Sequence, residues 1–154
     1  MSFQEDLKQG QDAEHTFAEY LKRDPNLDTI EFSQWKNIYY DIKATYKDWS
    51  VITYEVKMDR KYHKTWNFVV EFECFWKTSW IYASSSDKIV YYVGWKWWMQ
   101  DRQVLIDRLV TTPKRVSNWW DFKASRMWVI KGTELPNLFE LLDFEVELNV
   151  EEDG

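Results

Sequence analysis

Apolar and polar residues alternate along Val51-Ile52-Thr53-Tyr54-Glu55-Val56-Lys57-Met58. A strand sends successive side chains to opposite faces. Ile52, Tyr54, Val56 and Met58 therefore share one face, and Glu55 and Lys57 share the other. Asn37-Ile38-Tyr39-Tyr40-Asp41-Ile42-Lys43 follows the same rule, with Ile38, Tyr40 and Ile42 opposite Asp41. Strands are predicted near 37–44, 50–58 and 67–76, and a buried strand near 88–93. Before them the period changes. Leu7, Gly10, Glu14, Phe17 and Leu21 recur every three or four residues, the spacing of one helical face. Ser2 and Glu5 form a capping-box pattern at its start, and Asp24-Pro25 stops it. Further on, 100–110 reads as a helix and 126–131 as a strand. Thr133 caps a last helix carrying Leu135, Leu138, Phe139 and Leu142, with Pro136 tolerated in its first turn. The tail 149–154 is acidic and expected to fray.

A hairpin joining the first two strands brings Asp41 beside Glu55, with Lys57 adjacent. Glu14 lies with the apolar helical face and points toward the sheet, where a carboxylate needs a partner or an ion. The plainer alternative is a residue at the stripe's edge that reaches solvent. Two carboxylates suit a hard divalent cation, which prefers oxygen ligands. A lysine beside such an ion orients or deprotonates water, or stabilises developing negative charge. Together they are the working part of a metal-dependent phosphodiesterase. On the third run Asn67, Val69, Glu71 and Glu73 share a face. If that face continues the one holding Asp41 and Glu55, Glu71 binds a second ion or holds water beside the first. An exposed acidic face is the alternative, and for Glu73 the preferred one.

Asp41…Glu55-Val56-Lys57 resembles the D…(D/E)-x-K signature of the PD-(D/E)XK nuclease superfamily. Gly10-Gln11-Asp12-Ala13-Glu14 resembles the Gly-x-x-Ala-Glu helix of many members, whose Glu reaches the metal site. Lys57-Met58-Asp59-Arg60, then Thr65-Trp66-Asn67 and Glu71, look like a phage-associated branch. Ser84-Ser85-Ser86-Asp87-Lys88 before Ile89-Val90-Tyr91-Tyr92-Val93 resembles that branch's small-residue segment ahead of a buried strand. The likeness covers roughly residues 8–95. It implies an α/β (α+β) fold with a restriction-endonuclease-like core, in which an N-terminal helix precedes a central mixed sheet with flanking helices. It also implies Mg²⁺-dependent (or Mn²⁺-dependent) hydrolysis of DNA phosphodiester bonds, in phage or mobile-element DNA processing. Asp41 and Glu55 would hold the metal, with the Val56 carbonyl as a further ligand. Lys57 would position the attacking water and Glu14 would support the cluster. Asn67 and Glu71 would stand behind them or at a second metal. Homodimers are common in such enzymes, so a second copy or a partner protein joins DNA among the expected partners.

Composition changes the picture in one respect. The chain has 11 Trp and only 4 Gly, where average usage of about 7% would give about 11 Gly. Several Trp stand where backbone chemistry favours Gly. Asp48-Trp49 occupies a hairpin turn that prefers Asp-Gly, and Trp66, Trp76 and Trp80 fall at Gly positions of the resembling pattern. Trp95, Trp97, Trp98, Trp119 and Trp120 fall in expected loops. One reading makes these Trp stand-ins for Gly, as when a UGA codon is decoded differently in source and in translation. The other is a genuinely Trp-rich surface. Trp35 and Trp128 sit among alternating apolar residues and read as true Trp.

Charge and cysteine bound the rest. The net charge is −6, from 26 acidic and 20 basic residues, unusual for a protein whose affinity comes from neutralising phosphates. Local clustering offsets this, since Lys57, Arg60, Lys61, His63 and Lys64 follow the motif closely. Arg60, Lys61 and Lys64 are the expected DNA contacts, and a solvated loop is the alternative. The single Cys74 excludes an internal disulfide and a Cys-based zinc site, and is expected buried and inert. Without an apolar run of membrane-spanning length or a signal pattern, one soluble cytoplasmic domain over 1–154 is expected, with no membrane partner. Two alternatives to the nuclease remain. One is a non-enzymatic module whose exposed aromatics stack on bases, and the other is an inactive nuclease fold kept for interaction.

Overall fold

The structure is a computed structural model. It describes residues 3–33, 40–59, 62–74, 77–78, 81, 84–119 and 125–148. Helix α1 (Phe3–Leu21) precedes the meander β1 (Leu27–Phe32), β2 (Ile42–Tyr46) and β3 (Val51–Met58). One turn of helix, α2 (Tyr62–Thr65), leads into β4 (Asn67–Cys74) and β5 (Lys77–Thr78). The hairpin β6 (Lys88–Val93) and β7 (Lys96–Asp101) runs into α3 (Arg102–Leu109). The chain continues through β8 (Arg115–Trp119), β9 (Ser125–Lys131), a 3-10 turn (Gly132–Glu134), α4 (Leu135–Leu138) and β10 (Glu140–Leu141).

These elements make a mixed α+β fold around a central mixed sheet. Its six strands run β1-β2-β3-β6-β7-β10. β3 pairs antiparallel with β2 and parallel with β6. A four-stranded antiparallel sheet, β5-β4-β9-β8, forms the other layer. α1 covers one face of the central sheet, packing Ala13, Phe17 and Leu21 against Ile42, Tyr54, Val56, Tyr92 and Trp97. The second sheet covers the other face, where Phe68, Val70 and Ile130 meet Ile89, Tyr91, Val93 and Trp98. With both faces covered, every residue from Ile89 to Val93 is buried. That is why this strand reads as an unbroken apolar run.

Several expectations are corrected here. β4 does not extend the first three strands; it pairs with β5 and β9 in the second sheet. β1, β7 and β8 were not anticipated. β1 is an edge strand rich in Asp, Thr and Glu, residues that dilute a strand signal. In β7 both Trp97 and Trp98 are buried, one on each side of the sheet, so no alternation marks the strand. The expected last helix stops at Leu138, because Phe139 turns extended at φ −126° and ψ 161°. Leu141 then pairs with Trp98. Ser2, Trp35, Trp76, Trp80, Trp120, the 149–154 tail and residues 37–39 of the strand expected at 37–44 lie outside the described residues, as do the side chains of Cys74, His63 and Trp119.

The tryptophans divide by backbone. Among the described residues, the non-glycine residues with positive φ are Trp49 (71°), Trp66 (57°) and Trp95 (62°). Each sits in a different glycine-favouring motif. The Trp49 N–H donates to the Tyr46 carbonyl at 2.9 Å and the Tyr46 N–H to the Ser50 carbonyl at 2.9 Å. That is a hairpin turn closed by a left-handed residue, usually Gly. Trp66 follows α2 directly, in the left-handed position that ends helices and that Gly usually fills. Gly94 and Trp95 join paired Val93 and Lys96, both with positive φ. A two-residue turn of this kind favours Gly or Asn at both places. All three indoles are exposed. Trp97 and Trp98 correct the expectation of exposed loop residues. They are buried, and their ring N–H groups donate to the Val146 carbonyl at 2.8 Å and the Val93 carbonyl at 3.3 Å. Trp128 packs as expected, stacked on Phe72 with ring centroids 4.6 Å apart.

Candidate active site

Asp41 stands where β2 parts from β3. Its N–H donates to the Tyr54 carbonyl at 2.9 Å, and its Oδ2 accepts the Val56 N–H at 2.8 Å. The carboxylate thus takes the place of a strand partner and is locked to the backbone between Glu55 and Lys57. Glu55 lies inside β3, opposite Tyr54 and Val56, and is only 8% exposed. Lys57 shares its face, with Nζ 3.9 Å from Glu55 Oε1 and the Lys57 side chain 43% exposed. One end of this ion pair is therefore buried and the other meets solvent. Glu14 reaches the same place from α1. Because α1 covers the Tyr54 and Val56 face, Glu14 approaches Asp41 from that side and Glu55 from the other.

The electrostatics tie the four together. Burial pushes the Glu14 carboxyl up to about 7, the Asp41 charge adds to the rise, and Lys57 opposes it. Burial also lifts Glu55 to about 7, with Lys57 opposing and Asp41 reinforcing. Asp41 itself is raised by burial, against the Val56 N–H and Lys57. Asp41 and Lys57 act on both glutamates and form the centre of the group. Three half-desolvated carboxylates around one lysine make a region short of positive charge.

Whether a divalent ion suits these residues turns on one atom. Glu55 Oε2 is buried and has no hydrogen-bond partner. An orphaned buried carboxylate oxygen is costly unless a ligand fills it. Among the described residues, no three Asp, Glu, His or Cys side chains stand together as a ready-made metal cage. Mg²⁺ does not need one, since it is commonly held by one or two carboxylates and completes its shell with water and substrate oxygens. The donor set of Asp41 and Glu55 therefore fits such an ion.

The remaining expectations divide. Asn67 and Glu71 sit on β4, in the other sheet. There they alternate with Phe68 and Val70, which face the shared core. They do not share a sheet face with Asp41 and Glu55, so the route by which Glu71 was to join the site is absent. Lys64 is exposed on α2, while Arg60 and Lys61 lie outside the described residues. A separate cleft of about 360 Å³, walled by Tyr20, Tyr46, Tyr54, Arg23 and Asp24, involves none of Glu14, Asp41 and Glu55.

The fold adds members that the strand pattern did not reveal. Ser84 and Ser86 are buried, at 2% and 3% exposure. Ser84 hydrogen-bonds Glu55, and the positive charge of Arg102 also acts on that carboxylate. A run of serines directly before an apolar strand was the available signal, since small hydroxyl residues next to a buried run are well placed to serve a buried polar group. Among the described residues, no helix is long and apolar enough to cross a membrane. No family model, curated protein or solved structure matches the chain.

Proposed function

We propose that this chain is a divalent-metal-dependent deoxyribonuclease of the PD-(D/E)XK type. The observation that carries the reading is the buried, partnerless Oε2 of Glu55 next to Asp41 and Lys57. The order of elements supports it. A helix bearing Glu14, an antiparallel meander bearing Asp41 and Glu55-x-Lys57, and a strand parallel to β3 agree with the order of elements that the resemblance implies. Position 66, where the resembling pattern carries Gly, has a glycine-type backbone.

In this reading Asp41 and Glu55 would hold Mg²⁺ or Mn²⁺, which when bound would supply Lewis-acid stabilisation of charge on the scissile phosphate. The Val56 N–H fixes Asp41 Oδ2, so that one carboxylate enters preorganised. Lys57 Nζ, held beside Glu55 Oε1 but partly open to solvent, positions the attacking water and neutralises charge on the phosphate. Glu14 adds negative charge near Asp41 from the opposite side, which raises the site's demand for a cation.

The test is incubation with plasmid and with labelled linear and branched DNA, in Mg²⁺, Mn²⁺ or EDTA. Cleavage that needs metal and is lost in Asp41→Ala is the expected result. Calorimetry showing no divalent-ion binding, or full cleavage by Asp41→Ala, rejects the enzyme.

A further inference from the structure

Where the C-terminal end of α1 meets β2, β3 and β7, the cleft of about 360 Å³ carries polar groups that the fold does not use. Tyr20, Tyr46 and Tyr54 wall it, Leu21 and Met99 supply apolar surface, and Arg23 and Asp24 bring one charge of each sign. It is distinct from the candidate metal site. Tyr54 and Glu55 point to opposite faces of β3. On α1, Phe17 lies between Glu14 and Leu21, fully buried, with its ring centroid 5.3 Å from that of Tyr54. Helix and sheet are closed against each other between the two places.

The hydrogen bonds of the cleft leave a remainder. The Tyr46 and Tyr54 hydroxyls stand 3.2 Å apart. Whichever of them donates, one phenolic proton of the pair is left over. Burial, and after it the bond to Tyr46, pushes the Tyr54 phenol above its ordinary value, so Tyr54 stays neutral. Arg23 Nη1 donates to the Asp143 carbonyl at 3.0 Å, and its Cζ lies 4.9 Å from the Phe144 ring centroid. Among the described residues, its other N–H groups and the Tyr20 hydroxyl have no protein acceptor. Asp24 Oδ1 accepts the Asn26 N–H at 2.9 Å, which leaves Oδ2 as an acceptor.

These features narrow the occupant. Arg23 and Asp24 cancel in sum, so the lining selects neither an anion nor a cation. Phenol and guanidinium donors beside a carboxylate acceptor call for a compound with both acceptor and donor edges. Phenol rings, Leu21 and Met99 suit a flat apolar body. Ligand cavities run from about 300 to 1,000 Å³, so about 360 Å³ suits a single ring system. A nucleobase combines these properties.

We infer that this cleft is a nucleobase-binding site, in which the free phenolic proton of the Tyr46–Tyr54 pair and the Arg23 guanidinium donate to the acceptors of the base while Asp24 accepts from its N–H groups. The base arrives in a free nucleoside or as an unpaired base of a DNA strand. The inference does not rest on the metal-site reading, because Glu14, Asp41, Glu55 and Lys57 take no part in the cleft.

Calorimetry on the full chain in EDTA tests it, with the four deoxynucleosides as probes and deoxyribose and deoxyribose phosphate as controls. Saturable binding of at least one nucleoside, and not of deoxyribose, is expected. Tyr46→Phe and Arg23→Met should each weaken that binding by about 3- to 10-fold, the size of one hydrogen bond. Asp41→Ala should bind as the wild type does. Circular dichroism of each variant separates lost binding from lost fold. A wild type that binds no nucleoside overturns the inference, and so does nucleoside binding that neither cleft variant weakens. Deoxyribose phosphate bound as tightly as the nucleosides overturns the base as the group recognised. A single-stranded oligonucleotide and an abasic strand of equal length then separate the two sources. If Tyr46→Phe weakens binding of the intact strand and not of the abasic one, the base belongs to DNA. If it weakens binding of nucleosides and of neither strand, the ligand is the free nucleoside.

Discussion

At the parting of β2 and β3, Asp41, Glu55 and Glu14 are carboxylates drawn partly out of water. At residues 49, 66 and 95, indoles ride on left-handed backbone. Both regions go against local physical preference, and they differ in what surrounds the offence. Around Glu55 the protein supplies Lys57, Ser84 and Arg102, each favouring its ionised form, yet leaves one oxygen unanswered. Around Trp49, which is 84% exposed, the hydrogen bonds belong to the turn itself and would be the same for Gly. A rule broken at a functional site carries compensation nearby, and one broken without compensation points to the residue itself as foreign to its position. Trp97 and Trp98 sharpen the contrast, because their rings are buried and their N–H groups are satisfied.

The largest expected effects fall on the carboxylates. Asp41→Ala and Glu55→Gln should reduce metal-dependent DNA cleavage to background with the fold retained, read by gel assay and circular dichroism together. Lys57→Ala should lower turnover by roughly 10²–10⁴-fold, the usual range for losing a proton-transfer or water-positioning group. Its metal affinity should change less. A Lys57→Ala enzyme with normal turnover would remove the lysine from the chemistry.

Next comes Trp97, whose ring contacts Phe17, Tyr92 and Phe144. Trp97→Gly should destabilise by about 3–5 kcal/mol, the range for truncating a buried large aromatic. It would also strand the Val146 carbonyl. A variant that melts like the wild type would place Trp97 with the turn tryptophans and end the distinction between the two sets.

The pH dependence tests the other side of the comparison. In the folded protein Glu55 titrates near 7, against an ordinary 4.5. The native state keeps this proton where the unfolded chain has released it. The stabilisation is complete below about pH 4.5 and is lost as pH rises through about 7. The loss is about 3 kcal/mol for Glu55 at 1.36 kcal/mol per pH unit, and Glu14 changes in the same direction. Urea melts in EDTA should therefore give lower stability at pH 8 than at pH 5. Mn²⁺ should restore much of it at pH 8, because an ion that binds only the native state stabilises it. Equal stability at the two pH values in EDTA would mean that these carboxylates are not desolvated.

How much of this was legible in the chain depended on exposure. β3 was readable because one of its faces is apolar and the other holds Glu55 and Lys57, and that alternation also singled out the site. β7 was not, because burial on both faces erases alternation, and the neighbouring Gly94-Trp95 turn drew its tryptophans into a supposed loop. The second sheet was invisible to pattern. Nothing in Asn67 to Cys74 says whether β4 pairs with β3 or with β9, since pairing over long sequence separation is set by tertiary packing. That choice is what separates Glu71 from Glu55. Ser84 and Ser86 were readable as a segment but not as buried neighbours of the site, because Thr53 and Asp87 bring that segment beside β3.

The smallest effects belong to the turns, and they decide what the tryptophans are. Trp49→Gly and Trp95→Gly each remove a left-handed residue that bears a Cβ, strain worth about 1 kcal/mol or more per site. Each should raise stability by roughly that amount. Trp66→Gly should gain less than Trp49→Gly, because the Trp66 ring meets Tyr62 edge-on at 5.9 Å and such a pair contributes about 0.5–1.5 kcal/mol. The triple variant should melt higher and stay soluble at higher concentration, since exposed rings promote association. Metal-dependent cleavage should be unchanged. If the triple variant instead melts several degrees lower, the indoles are supported by contacts that outweigh the backbone strain. If it keeps its stability but loses affinity for single-stranded DNA, the rings are a stacking platform, and the aromatic binding module displaces the misplaced-glycine reading.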